Sequence, residues 1–436
     1  MKKILLVFLL LGGLIAKAQE VQNDTIKPAS IESLKETVDG HSMKFEGLDE
    51  RLSEMSGDLS ALKKISVSGY IQAQYDMYDT WTAAGVHGVG TPVITNSFYL
   101  RRARIKFAYK AVEGVKFVLQ PDFSFDKVSL KDAYVVLNDR WTNTFSLFLG
   151  QFDRPNYEVE YSSGSMEMLE RTKMAGILYP GEKELGAKLE ADFNTKYNFP
   201  LKLQLAVVNG NFNLGAIGNQ VKDIDNNKDV IARAVYSVKL PNAGLGIDFG
   251  GHGYFGKTEI IKETTAVPVF SDVNNVAFTP KVGDKLDKKW FGPEIQIYYD
   301  FLGGAALKGE YISGTLSGTK NAVQFNKEFN NNSVRDFKGF YAMFIKNIGV
   351  KNQFIARYDV WDPNRKLSGN QVTNKEDLKY STWSVSWQYF FDDNIKINLG
   401  YSLPTNEKST NAGVGTDFVN RDKRDNTFTI RLQAKF

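Results

Sequence analysis

From Ile65 to Phe436 the chain repeats one pattern: segments of about ten residues in which apolar and polar side chains alternate, separated by clusters of Gly, Asn, Asp and Pro. In Asn426–Phe436 the residues Phe428, Ile430, Leu432, Ala434 and Phe436 fall on one face, and Thr427, Thr429, Arg431, Gln433 and Lys435 on the other. Asn394–Leu403 divides in the same way. A dry core does not tolerate such charges, so the polar face has to meet water. There are sixteen such segments, an even number, as closure of an antiparallel sheet requires. Their connections alternate between short (Val112-Glu113, Pro241–Gly244, Gly303-Gly304, Asp392-Asp393) and long (Asp79–Ser97, Asp153–Lys183, Lys257–Trp290, Pro404–Asp425), apart from one tight link at Asp126-Lys127. This pattern predicts an all-β fold, a 16-stranded antiparallel transmembrane β-barrel over residues 65–436, with an oily outside, a water-filled lumen and long loops at one end. Tyr78, Trp290, Phe301, Trp361 and Phe391, near segment ends, suit interfacial girdles.

The N-terminus carries a different pattern. Met1–Ala18 has a basic start, an apolar run and an Ala16-x-Ala18 ending, the layout of a cleaved signal peptide, which puts the mature start near Gln19. After it no apolar run is long enough for a transmembrane helix. Between Ile31 and Leu62 the residues Ile31, Leu34, Val38, His41, Phe45, Leu48, Leu52, Met55, Leu59 and Leu62 recur at 3-4 spacing, a heptad seam. Residues 19–64 therefore read as a periplasmic linker and α-helical coiled coil, or as an amphipathic helix folded back on the protein. His41 fits a register device better than a metal ligand.

The formal charge of +4 falls to +1 once Lys2, Lys3 and Lys17 are removed, so global charge gives no argument for a nucleic-acid partner. Locally the charge is uneven. Tyr99–Lys110 holds five cations, and a period of two sends Arg102, Arg104, Lys106 and Lys110 to the lumen, while Ala103, Ile105, Phe107 and Tyr109 face out. Arg101 is expected on the outer face at the rim, within reach of lipid headgroups. Same-face residues lie about 7 Å apart, so the four cations form a stripe down the wall. Arg233, Arg357 and Arg431 face the lumen by the same register. Such a stripe passes and binds anions, or it is balanced by facing carboxylates such as Asp122, Asp126 and Asp132; both readings stand. Inferred lumen positions carry more basic than acidic residues, which predicts mild anion preference. In the third long loop, Asp153–Lys183, the run Met166–Arg171 has helical character and Pro180-Gly181 marks a turn.

Phe98-Tyr-Leu-Arg-Arg-Ala-Arg-Ile105, Val128-Ser-Leu-Lys-Asp-Ala-Tyr-Val135 and Gly150-Gln-Phe-Asp-Arg-Pro155 with Glu170-Arg171 resemble the phosphate-selective porin O and P family, in order and spacing. The resemblance implies a trimeric sixteen-stranded outer-membrane barrel lined by an arginine ladder, onto which Arg102 and Arg104 carry over. It also implies that the third loop folds inward and sets the exclusion size; the alternative is a loop that lies outside as a cap. The terminal Phe436 is similar to the ending read by outer-membrane assembly machinery.

Function classes narrow accordingly. With no cysteine and three histidines (His41, His87 and His252), thiol chemistry is excluded and hydrolase or metal sites are undersupplied, so no catalytic residue, cofactor or metal is expected. His252 reads as a lone pore-wall histidine near Asp248. The expected function is a porin for small solutes, with membrane lipid, small anions and a homotrimer as partners. The alternative is a structural anchor that ties the outer membrane to the cell wall through the coiled coil.

Overall fold

The computed structural model describes residues 63–80, 94–124, 127–210, 223, 226–260, 269–318 and 333–436. The signal peptide, the heptad segment, His41, His87 and Asp126 lie outside these residues. The strands are β1 (Ile65–Tyr78), β2 (Asn96–Val112), β3 (Val115–Ser124), β4 (Lys127–Asn138), β5 (Phe145–Asp153), β6 (Lys183–Asp192), β7 (Leu201–Val208) and β8 (Asp229–Leu240). They continue as β9 (Leu245–Glu259), β10 (Lys285–Tyr299), β11 (Ala305–Gly318), β12 (Ser333–Ile348), β13 (Asn352–Asp362), β14 (Tyr380–Phe390), β15 (Ile395–Asn406) and β16 (Thr427–Lys435). Each pairs antiparallel with its neighbours in sequence, and β1 pairs with β16, closing a sixteen-stranded barrel. At the seam the Gly69 and Phe436 amides each donate to the other residue's carbonyl at 3.0 Å. A two-residue pair, Phe270–Ser271 with Ala277–Phe278, decorates the long loop after β9.

The distribution of side chains is inverted relative to a soluble protein. On β16 Arg431 and Gln433 are 2% exposed, while Leu432 between them is 47% exposed. Outward-facing Leu119, Leu189, Leu205, Phe249, Ile295, Phe344 and Val385 are all exposed, and inward-facing Asp122, Lys188, Gln204, Glu294, Gln296 and Ser384 are buried. Only a lipid phase makes such an outer face favourable.

Strand ends extend beyond the expected segments. Lys285–Trp290 lacks apolar alternation, yet it continues the ladder with β9, Lys285 opposite Glu259. Backbone pairing persists above the lipid, where the outward face no longer has to be apolar. The girdle expectation holds only in part. Phe301 and Phe391 are half exposed at the short-turn end, joined by Trp141, Tyr197, Phe199 and Tyr299. Trp290 and Trp361 are fully buried and point inward, and the Tyr78 hydroxyl donates to the inward Asp76. Their parity decides this, since even positions of β10 and odd positions of β13 face the lumen.

The inverted pattern makes a direct prediction. Val385, at the middle of β14 and 49% exposed, points outward, where lipid is expected. Val385→Arg is expected to destabilise the barrel by about 2–4 kcal/mol in urea titrations from lipid vesicles. An unchanged midpoint would contradict a lipid-facing Val385.

Candidate functional site: the loop-filled lumen

The chain from Arg154 to Glu182, between β5 and β6, folds into the barrel and covers much of its inner wall. It contains two short helices, α1 (Tyr157–Glu160) and α2 (Lys173–Leu178). Neither is long enough to stand alone, so caps and packing hold them. Asn156 Oδ1 caps α1 by accepting from the Val159 amide at 3.2 Å. Thr172 Oγ1 caps α2 by accepting from the Ala175 amide at 3.1 Å, while the Thr172 hydroxyl donates to Glu158 at 2.6 Å. A tight turn follows, with Gly181 at φ 74° and Glu182 at φ 69°.

The expected helix over Met166–Arg171 does not form. The carbonyls that a helix would bond internally are taken by donors from the wall. Lys396 donates to the Met166 carbonyl at 3.0 Å, Gln388 to that of Glu167 and Arg431 to that of Leu169. Arg357 donates to the carbonyl of Glu170 at 2.8 Å. Gln433 and Gln72 hold the carbonyls of Gly164 and Ser163. The segment lies bent along the wall of β13–β16 and β1.

Acidic side chains of the loop meet basic side chains of the wall. Glu160 lies 3.0 Å from Lys188 and 2.9 Å from Arg233, Glu167 lies 2.6 Å from Lys308, and Glu182 lies 2.9 Å from the loop's own Arg171 and 3.9 Å from Arg104. Glu170 receives Arg101 at 2.7 Å, Arg431 at 2.5 Å and Arg102 at 3.6 Å. Although burial pushes the other way, Arg101, Arg431 and Arg102 together hold the Glu170 carboxyl well below the usual carboxylate range.

On the other side the loop is oily. Met174, Ile177, Leu178 and Tyr179 join Tyr254, Trp290, Phe337 and Trp361 of the wall in one apolar cluster. The Trp290 ring stacks on Tyr254 at 3.9 Å, and its indole N–H donates to the Tyr179 hydroxyl at 3.0 Å. Two inward glycines make room for loop side chains. A Cβ on Gly339 would lie 2.7 Å from Met174 Sδ, and one on Gly400 would lie 2.2 Å from a Leu169 methyl.

The expected lumen residues are placed as follows. Arg102, Arg104, Arg233, Arg357 and Arg431 all face inward and surround the loop. Arg104 also pairs with Asp122 at 2.8 Å and donates to Ser163 at 2.8 Å, Arg233 grips Glu294 at 2.6 Å, and Arg357 lies 3.3 Å from Asp359. Lys106 is partly exposed to the lumen, 3.2 Å from Asp132. Lys110 lies apart from the cluster, exposed near the short-turn end of β2. Arg101 departs from expectation. A β-bulge where the pairing of β1 with β2 slips between Gln72 and Ala73 lets Arg101 face the lumen beside Arg102. Tyr99, two residues earlier, accordingly donates inward to Asp76 at 2.5 Å.

Lys183, Lys188 and Lys308 are further wall cations, within the basic excess expected of the lumen but not singled out from the sequence. Sequence reasoning missed the company of His252. That side chain is fully buried, its Nδ1 3.4 Å from Glu310 on β11, beside Glu294 on β10.

The glycine sockets can be tested. Gly339→Leu is expected to drive Met174 and α2 off the wall, raise single-channel conductance severalfold in planar bilayers and cost about 1–3 kcal/mol of stability. Wild-type conductance in a folded variant would show that the socket does not hold the loop.

Known proteins place this geometry. No curated protein is matched by the sequence. Among solved structures, OprB of Pseudomonas putida superposes with a TM-score of 0.54 at 11% identity, covering 87% of this chain and 96% of that one. The anion-selective porin from Comamonas acidovorans superposes with a TM-score of 0.52 at 11% identity, covering 85% and 99%. At such identities the likeness is one of fold. The sequence itself matches a family over residues 68–267, which span β1–β9, the arginine-rich β2 and the whole inward loop. The match is to the phosphate-selective porin O and P family, to which the chain is similar over those residues, and the chain is a protein of the outer membrane.

Proposed function

We propose that this outer-membrane channel passes small solutes by diffusion with a mild preference for anions, phosphate among them. The observation that carries this reading is the meeting of Arg101, Arg102 and Arg431 on one carboxylate, Glu170, which is itself 46% exposed. Three guanidinium groups share a single counter-charge, and Arg102 Nε has no hydrogen-bond partner. An anion with oxygens matched to the planar fork of Arg is stabilised there, whereas a cation is repelled.

In this reading Arg102, Arg104, Lys106, Lys110, Arg233, Arg357 and Arg431 form the basic lining, with Arg101 added. Cavities of about 290 Å³ and 320 Å³ lie against it: Arg104, Lys106 and Lys183 share one with Asp132, Asp153, Glu160 and Glu182, and Arg101 and Arg357 share the other with Glu170 and Asp76. The inward loop between them sets the size limit. The working unit is a homotrimer, as the family resemblance implies, and the chain is a transporter rather than an enzyme.

Reversal potentials in a KCl gradient test the proposal. Wild type is expected to favour chloride over potassium, and Arg102→Ala to reduce that ratio, with competition by added phosphate weakened in the variant. Cation preference in wild type would overturn the anion reading, and absent conductance would overturn the channel.

A further inference from the structure

A row of inward side chains crosses four neighbouring strands at one level: Arg233 on β8, His252 on β9, Glu294 on β10 and Glu310 on β11. Register places Arg233 opposite His252, and Glu294 opposite Glu310. Two carboxylates directly opposite one another repel, and burial makes that repulsion costly. Both side chains are fully buried. Glu294 is compensated by Arg233, whose Nη2 and Nε approach its two oxygens at 2.6 Å and 3.0 Å. Glu310 has no such partner among the described residues. One oxygen accepts from the Asn156 amide at 2.5 Å, and the other, Oε2, has no hydrogen-bond partner.

His252 beside it is equally unsatisfied. Its side chain is fully buried, and neither Nδ1 nor Nε2 has a hydrogen-bond partner, although Nδ1 lies 3.4 Å from Glu310 Oε1. The imidazole reaches across its own pairing partner on β10, Gly292, where a Cβ would lie 2.9 Å from His252 Cε1. Any larger residue at 292 would close that path. Three unpartnered polar atoms therefore converge in one buried place, which native interiors avoid unless something binds there. One ligand atom from each of His252, Glu294 and Glu310 lies within 4.8 Å of the others. Tetrahedral ligands at ordinary zinc bond lengths lie about 3.4 Å apart, so a small inward adjustment completes the set.

We propose that His252, Glu294 and Glu310 bind a first-row divalent cation of the Zn²⁺ or Co²⁺ class. One imidazole nitrogen with two carboxylates is a borderline donor set that suits such ions better than Ca²⁺ or Mg²⁺. The cation's charge would offset Glu310, which has no Arg or Lys ion-pair partner among the described residues. Arg233, already bound to Glu294, orients that carboxylate as an outer-shell group. The site lies under both ends of the inward loop, because Asn156 touches Glu310 and the Tyr179 ring stands edge-on to His252 at 6.2 Å.

Metal content provides the test independently of transport, so its failure differs from failure of the channel reading. Full-length protein in detergent is stripped with chelator, equilibrated with Zn²⁺ or Co²⁺, freed of excess and analysed by mass spectrometry and visible absorption. Wild type is expected to retain one ion per chain and to show a Co²⁺ ligand-field band. His252→Ala and Glu310→Gln are each expected to weaken retention about tenfold or more and to lose the band. Heat-modifiable gel mobility identifies folded variants, and Glu310→Gln preserves shape should His252→Ala fail to fold. Wild type that retains no ion, or folded variants that retain as much as wild type, would overturn the site.

Discussion

Closure of the hydrogen-bonded ladder is the constraint from which the rest follows. In a bilayer every backbone amide and carbonyl has to find a partner within the protein, and a sheet achieves this only when its last strand returns to its first. The reciprocal bonds of Gly69 and Phe436 at the seam complete that circuit. Once lipid covers the outside, the apolar side chains belong there, and the inner face is released from the usual requirement to be oily. The charged lumen is therefore a product of the topology. It also creates a second requirement, since each inward Arg, Lys, Asp and Glu then needs water or a partner.

The inward loop supplies those partners, and it explains why the wall donors are mostly long and multivalent. Arg431 reaches the Glu170 carboxylate, the Leu169 carbonyl and Gln74 with separate N–H groups. A Lys there would hold one or two of these and lose the planar fit to the carboxylate. Buried ion pairs of this kind contribute little net stability, because desolvation offsets most of the attraction. What they fix is place. Alternative loop positions would strand guanidinium groups without acceptors, a cost of several kcal/mol for each buried charge. The apolar packing of α2 on Trp290 and Phe337 then adds attraction that does not depend on charge.

The strands were legible from the sequence because a period of two is a local property: each residue's face follows from its neighbours. The loop's inward course was legible only through family resemblance. Failures occurred where one long-range event changed a local rule. A slip of one residue at Gln72/Ala73 reversed Arg101, because a bulge flips every position before it. Met166–Arg171 has the composition of a helix, and a helix was expected there; wall donors on β13–β16 compete for its carbonyls. Trp290 looks like an interfacial residue by position and is an interior one by parity. His252, Glu294 and Glu310 are scattered over 59 residues of sequence, and only strand pairing reveals that they share one level of the wall.

Hydrogen-bond satisfaction and charge neutralisation are different conditions, and the lumen separates them. Lys396 donates to the Met166 carbonyl and to Gln388, both neutral, and Arg357 spends two groups on loop carbonyls. The acceptors of Lys396 remove none of its charge, and the two carbonyls remove none from Arg357, whose counter-charge is Asp359 at 3.3 Å. Clamping the loop with neutral carbonyls thus holds it without using a carboxylate at each contact. The residues that hold the loop in place therefore do so partly through hydrogen bonds that neutralise no charge, so positioning the loop and compensating the wall's charges are separate tasks.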